Sequence, residues 1–239
     1  MAQSIVVLGA RNLGGAIVDH FLALGWNAAS VARSEETLQA VRARGALAVS
    51  SDASDPGQLA SALDRARQEL GSLDAIVNAV SAARPPEGGG FGGGELADAD
   101  AAAFHGWTVA VAEQAFAFLS TGARALRRSG GGTLVQITGG SSRRAMPGKG
   151  LWAAGAFATR ALVQAAAQEL REESIHVALL AVDATIESPK TAAFTGDQPG
   201  NALADQGQVA EAVAFLVAQR ERAWTHELVI TPAGDRWVP

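Results

Sequence analysis

Val7-Leu8-Gly9-Ala10-Arg11-Asn12-Leu13-Gly14-Gly15-Ala16-Ile17 sets a glycine cluster between the end of an apolar run (residues 4–8) and the first amphipathic stretch (14–24). A glycine directly after a strand lets the chain turn sharply. Glycines at the start of the next helix let backbone and helix approach a pyrophosphate, which the unpaired N–H groups of the helix end then stabilise. Such a cluster carries weight only in context, and here the context is strand, turn, helix. A tight turn with no ligand is the competing reading of the same residues.

Beyond this turn, short apolar runs alternate with longer amphipathic ones to the end of the chain. The runs at 4–8, 27–31, 46–49, 75–77, 133–137, 176–181 and 227–231 are rich in Val, Ile, Leu and Ala without polar alternation. That is the pattern of strands buried on both faces. Helical stretches fall at 14–24, 34–44, 56–70, 101–127, 151–173 and 206–219, and Asp55-Pro56 looks like a cap followed by proline in the first turn. The alternation predicts an α/β fold, a Rossmann-type doubly wound parallel seven-stranded sheet with helices on both faces. No repeat or linker divides the chain, so residues 1–239 read as a single dinucleotide-binding domain. One low-complexity segment, Arg84-Pro85-Pro86-Glu87-Gly88-Gly89-Gly90-Phe91-Gly92-Gly93-Gly94-Glu95, follows the fourth strand on the ligand-binding edge. Its glycines predict a mobile surface connection, with a lid as the other reading.

Composition narrows function by exclusion. The chain has no cysteine, which removes disulfides, thiolate zinc sites and a cysteine nucleophile. No apolar run reaches the roughly 20 residues of a membrane span. The first apolar run enters the glycine turn without the basic flank of a signal peptide. These features predict a cytoplasmic protein with no membrane partner. The net charge is −5, and Lys and Arg cluster only in short pairs such as Arg127-Arg128 and Arg143-Arg144. No nucleic-acid footprint is expected, and the pairs read as a solvated helix end and a mobile loop.

The second strand ends at Val31-Ala32-Arg33-Ser34. An NAD-binding domain places an acidic residue here for the ribose 2′-hydroxyl. Arg33 can instead meet a 2′-phosphate, with Arg11 or Ser34 as helpers. A charge-assisted bond worth about 1.5–3 kcal/mol corresponds to roughly one to two decades of preference for NADP(H) over NAD(H). An exposed arginine at a helix start is the other reading.

With these residues in view, the chain resembles the short-chain dehydrogenase/reductase family over its whole length. Ser51-Asp52-Ala53 looks like the family's Asp-Val pair after the third strand, and Asn78-Ala79-Val80 resembles its Asn-Ala-Gly motif, with Val80 in place of glycine. The resemblance implies a cofactor, NADP(H), held by Gly9, Arg11, Asn12, Leu13, Gly14, Gly15, Arg33, Ser34, Asp52, Ala53, Asn78, Ala79 and Val80. It also implies a small-molecule substrate and a homodimer or homotetramer packed through the long helices near 101–127 and 151–173.

The family's catalytic residues, by contrast, have no counterpart. Members use a tyrosine as acid/base, a lysine one helical turn later to lower its pKa, a serine and an upstream asparagine. Anchoring on Gln168-Glu169-Leu170 and Ile175-His176-Val177 places the tyrosine at Trp152, the lysine at Ala156, the serine at Gly139 and the asparagine near Glu113; the chain contains no tyrosine at all. Loss of one general acid costs a factor of about 10²–10⁴, so ordinary ketoreductase chemistry is disfavoured. Four residues remain as catalytic candidates. Trp152 has an indole N–H that donates but does not titrate usefully; it either stacks on substrate or nicotinamide or fills the vacated pocket. Thr138 and Ser141 either orient a substrate oxygen or bond local backbone. Asp183 replaces the glycine of the family's Pro-Gly turn beside the nicotinamide. Two functions follow: an atypical NADP(H)-dependent oxidoreductase acting on an activated C=C, C=N or quinone-like acceptor, and a non-catalytic NADP(H)-binding sensor or scaffold.

Overall fold

The apolar runs form seven strands, β1 (Ser4–Leu8), β2 (Asn27–Ala32), β3 (Leu47–Ser50), β4 (Ala75–Asn78), β5 (Gly132–Gly139), β6 (Ile175–Val182) and β7 (Glu227–Ile230). The computed structural model describes residues 2–196 and 198–235; of the 1–239 span, Met1, Asp197 and Arg236–Pro239 lie outside the described residues. The strands make one sheet in the order β3-β2-β1-β4-β5-β6-β7, and every neighbouring pair is parallel. Parallel neighbours need crossovers. These are supplied by α1 (Leu13–Ala23), α2 (Glu35–Ala43), α3 (Pro56–Leu70), α4 (Ala101–Phe104), α5 (Ala110–Ser129), α6 (Gly150–Glu169), α7 (Ala192–Thr195) and α8 (Gln206–Val217). Among the described residues, no helix is long and apolar enough to cross a membrane.

Side chains alternate across each strand, and both faces are buried. Val6 and Leu8 of β1 pack in a core with Leu59 and Leu63 of α3, Phe118 of α5 and Val163 of α6. Ile5 and Val7 join the opposite core with Ile17 and Phe21 of α1, Leu38 of α2 and Val213 of α8. β6 divides in the same way, Ile175, Val177 and Leu179 to the first core and Ala178, Leu180 and Val182 to the second. The expected doubly wound α/β fold is therefore the fold observed.

Element boundaries follow local chemistry. Asp55 caps α3 by accepting from the Gln58 N–H at 2.8 Å, with Pro56 in the first turn, as the sequence predicts. The stretch expected as one helix over 101–127 is instead interrupted by a π-helical turn at His105–Val109. Contacts from two other segments hold this turn: the Arg84 N–H donates to the Gly106 carbonyl at 2.8 Å, and the Thr108 hydroxyl donates to the Leu151 carbonyl at 2.7 Å. The helix expected over 151–173 ends at Glu169; a 3-10 turn at Arg171–Glu173 follows, and Ser174, at φ 55°, swings the chain into β6. β5 extends beyond its expected end at 137, because Thr138 and Gly139 pair with Ala181 and Val182 of β6.

At the amino end of β6, His176 is buried and stacks on Trp224, ring centroids 5.1 Å apart and planes 8° from parallel. Burial holds its pKa below the ordinary histidine value, against the opposing effect of a bond to the Thr225 carbonyl. The unfolded chain thus takes up this proton near pH 6.5 before the folded chain does. Stability from this group is complete above that pH and falls as the pH drops toward the folded pKa. Thermal melts between about pH 7.5 and 5.5 should show a steeper loss of Tm in the parent than in His176→Leu. Identical slopes would rule this residue out as the source.

Candidate functional site

The strand order reverses between β1 and β4, which opens a crevice at their carboxyl ends, where Leu8 pairs with Asn78. Ligands of open α/β sheets bind at such a switch point. Gly9 turns here at φ 84°, a conformation that favours glycine. The turn is so tight that a Cβ on Gly14 would lie 1.6 Å from the Gly9 carbonyl oxygen, so position 14 admits no side chain. α1 then starts without a side-chain cap and without an acidic residue in its first turn. α5, α6 and α7 likewise start without a side-chain cap, whereas α2, α3, α4 and α8 are capped by Ser34, Asp55, Asp100 and Asp205. The amino end of α1 is therefore left polar and positive toward the crevice. Gly15 is buried behind it; Leu13 is half-buried, Arg11 and Asn12 are exposed, and Ala79 and Val80 follow β4 across the crevice, both half-buried.

At the end of β2, Arg33 is 63% exposed and forms an ion pair with Asp52, 3.6 Å apart. The two residues expected at opposite ends of the adenosine moiety thus meet each other. An exposed pair of this kind is worth about 0–1 kcal/mol. Ser34 is less free. Its oxygen accepts from the Thr37 N–H and pairs with the Thr37 hydroxyl at 2.7 Å, which commits it to capping α2. Ala53 is buried beside Asp52.

The side chain of Asn78 is fully buried. Its amide donates to Gln114 at 2.8 Å and Gln136 at 2.7 Å, and its oxygen accepts from the Val80 N–H at 3.3 Å. It joins β4, β5 and α5 and shapes the crevice from beneath. Glu113, placed near the asparagine of the resemblance, is exposed. Its neighbour Gln114 is buried in α5 and faces Asn78, a role that helix periodicity would have indicated.

At the catalytic position, a Cβ on Gly139 would lie 4.0 Å from Cζ2 of Trp152. The residues placed at the serine and tyrosine by alignment are therefore neighbours in space. Ala156, which the alignment sets at the family's lysine, is buried. Thr138 and Ser141 are half-buried, and neither hydroxyl bonds another described residue. It is Ser142 whose hydroxyl closes the local turn, donating to the Gly139 carbonyl at 2.8 Å.

Two expectations are corrected here. Arg143 and Arg144 do not form a solvated mobile loop. Arg143 pairs with Glu227 of β7, which also holds Arg160 at 2.9 Å, and Arg144 lies 3.5 Å from Asp183. Asp183 is only 8% exposed, and its carboxylate presses on Gly140 so closely that a Cβ there would lie 1.8 Å from Oδ1. Nor is the glycine-rich segment a free connection. The Trp152 N–H donates to the Gly92 carbonyl at 3.3 Å, and the Gly94 N–H to the Gly148 carbonyl at 3.1 Å. Gly93, at φ 101°, comes so near Leu151 that a Cβ would lie 2.8 Å from it. The docked loop sets Phe91 against Trp152, centroids 4.6 Å apart, and against Trp107 at 5.4 Å, both edge-on. The sequence shows the glycines but not the surface they fit.

The model of a short-chain dehydrogenase/reductase family, described as enoyl-(acyl carrier protein) reductase, matches residues 7–234. The chain belongs to this family. Solved structures of the family share the fold. A short-chain dehydrogenase from Rhodopseudomonas palustris is 23% identical over 96% of this chain and 98% of its own, with a TM-score of 0.72. A metagenomic short-chain oxidoreductase in complex with NADP is 22% identical over 97% of both chains, TM-score 0.75. A variant of actinorhodin polyketide ketoreductase with NADPH is 19% identical over 99% of this chain and 98% of its own, TM-score 0.77. No curated protein matches the chain in sequence.

The contact between Asp183 and Gly140 gives a direct test. Gly140→Ala should destabilise the protein by about 1–3 kcal/mol, the usual cost of forcing an atom into packed space. Asp183→Gly in the same chain should restore most of that loss in urea titrations. Strictly additive effects would show that the two positions are independent.

Proposed function

We propose that residues 1–239 act as one cytoplasmic domain, an NADP(H)-dependent oxidoreductase that reduces an activated C=C, C=N or quinone-like acceptor without the usual tyrosine–lysine pair. The observation that carries this reading is the uncapped end of α1 at the switch point, with Arg33 free to exchange Asp52 for a phosphate. These features fit NADP(H). The turn of Gly9, Arg11, Asn12, Leu13, Gly14 and Gly15 would receive the pyrophosphate, Arg33 the 2′-phosphate with Arg11 nearby, Asp52 and Ala53 the adenine, and Ala79 and Val80 the opposite wall. The NADP and NADPH in the metagenomic oxidoreductase and the polyketide ketoreductase support the same assignment.

When bound, the cofactor supplies a hydride. This chain supplies position and exclusion of water. Trp152 presents an aromatic surface beside Gly139, and the hydroxyls of Thr138 and Ser141, unbonded to other described residues, are available to orient an acceptor atom. Asp183 and Arg144 fix the turn after β5 from behind. Among the described residues no side chain is assigned the tyrosine's proton, which restricts the substrate to acceptors whose reduced form takes its proton from water. Phe104, Phe116 and Phe157 stand exposed on α4, α5 and α6, and we assign them to a homodimer or homotetramer contact. Nucleic acid and membrane have no part in the proposal.

A second reading, a non-catalytic NADP(H)-binding sensor or scaffold, is favoured by one observation: the rings of Phe91 and Trp107 crowd Trp152. Calorimetric titration with NADPH and NADH tests the cofactor. NADPH should bind more tightly, and Arg33→Ala should erase about one to two decades of that preference. An unchanged ratio would remove Arg33 from the site. Enones, iminium ions and quinones should then consume NADPH; a panel with no turnover and intact NADPH binding favours the sensor.

A further inference from the structure

Phe91 is held in an unusual way. It is 61% exposed, yet its ring meets two tryptophans edge-on, Trp152 at 4.6 Å and 74° and Trp107 at 5.4 Å and 81°. The two indoles, 6.2 Å apart and inclined at 50°, form a notch that a single ring fills. The ammonium of Lys149 lies 5.5 Å from the Phe91 centroid, a cation placed where it favours an electron-rich or anionic ring. The indole N–H of Trp107 is buried and has no acceptor among the described residues, and a phenyl ring offers none. Three glycines stand on each side of Phe91. A segment of that composition leaves its docked state at small steric cost.

We propose that Phe91 is an internal stand-in for the substrate: a planar aromatic ring bearing a conjugated carbonyl oxygen displaces it and lodges between Trp107 and Trp152, under Lys149. The ring oxygen then answers the Trp107 N–H, and Lys149 faces the electron-rich ring in place of Phe91. The inference rests on the reductase reading for the ring's role as substrate, since the notch lies at the position of the missing tyrosine beside Gly139. A docked Phe91 lowers the apparent affinity for such a ring by the fraction of molecules in which the loop is open.

Removing the competitor should therefore tighten binding. By calorimetry, 2-naphthoate, a planar ring with a carboxylate acceptor, should bind Phe91→Ala about tenfold more tightly than the parent. Gly93→Ala, whose new Cβ undocks the loop while keeping the phenyl ring, should give a similar gain. Cyclohexanecarboxylate should gain nothing, and Trp152→Leu added to Phe91→Ala should abolish the gain. Unchanged or weaker 2-naphthoate binding in both loop variants overturns the proposal, as does an equal gain for the saturated acid. NADPH titration of the same preparations separates the two claims. Failure to bind NADPH with the naphthoate gain present sinks the reductase reading alone, whereas normal NADPH binding without the gain sinks the ring site alone.

Discussion

The parallel ladder between β1 and β4, closed at its end by the pairing of Leu8 with Asn78, is the contact on which the rest of the molecule depends. It places two strands that are distant in the chain side by side at the centre of the sheet and reverses the direction in which strands are added. Because both faces are covered by helices, the strands offer no surface for chemistry along their length. Open sheets of this kind receive their ligands at the loops of the carboxyl edge. Gly9 and Gly14 let the backbone fold over that crevice, and the Asn78–Gln114–Gln136 cluster stiffens it from below. A buried amide triad of this kind is stabilising only while all its members are bonded, which ties the floor of the site to the register of β4 and β5.

Much of this was legible in the sequence, since strand and helix periods are local properties. The seven apolar runs, the capped start of α3 at Asp55-Pro56 and the glycine turn all read directly from residue order. What escaped were features whose cause lies elsewhere in the chain. The π turn at His105–Val109 is held by Arg84 and Leu151. Arg143 and Arg144 look like a solvated pair because Glu227 and Asp183 stand far away in sequence. The glycine-rich segment reads as slack, yet its bare α-carbons are shaped to Leu151 and Lys149. Composition reports the entropy of such a segment and is silent about the surface on which it rests.

Gly139 and Trp152, which the family resemblance aligns with its catalytic serine and tyrosine, lie together in space. Gly139 leaves space that the indole of Trp152 approaches, and Ala156 is buried where a lysine would introduce a charge. A lysine buried there without the tyrosine would carry a desolvation cost and no partner. Around Gly139 the contacts present are those of aromatic packing. Phe91 and Trp107 extend the same surface, so the aromatic patch is built by three separate segments of the chain.

The interlock of Asp183 with Gly140 constrains which substitutions the turn after β5 accepts. With the carboxylate seated against the bare α-carbon, position 140 tolerates no side chain and position 183 is anchored by Arg144. A single substitution at either position leaves a clash or a void. The two positions thus behave as one unit of sequence, and the turn after β5 accepts change only when both residues change together.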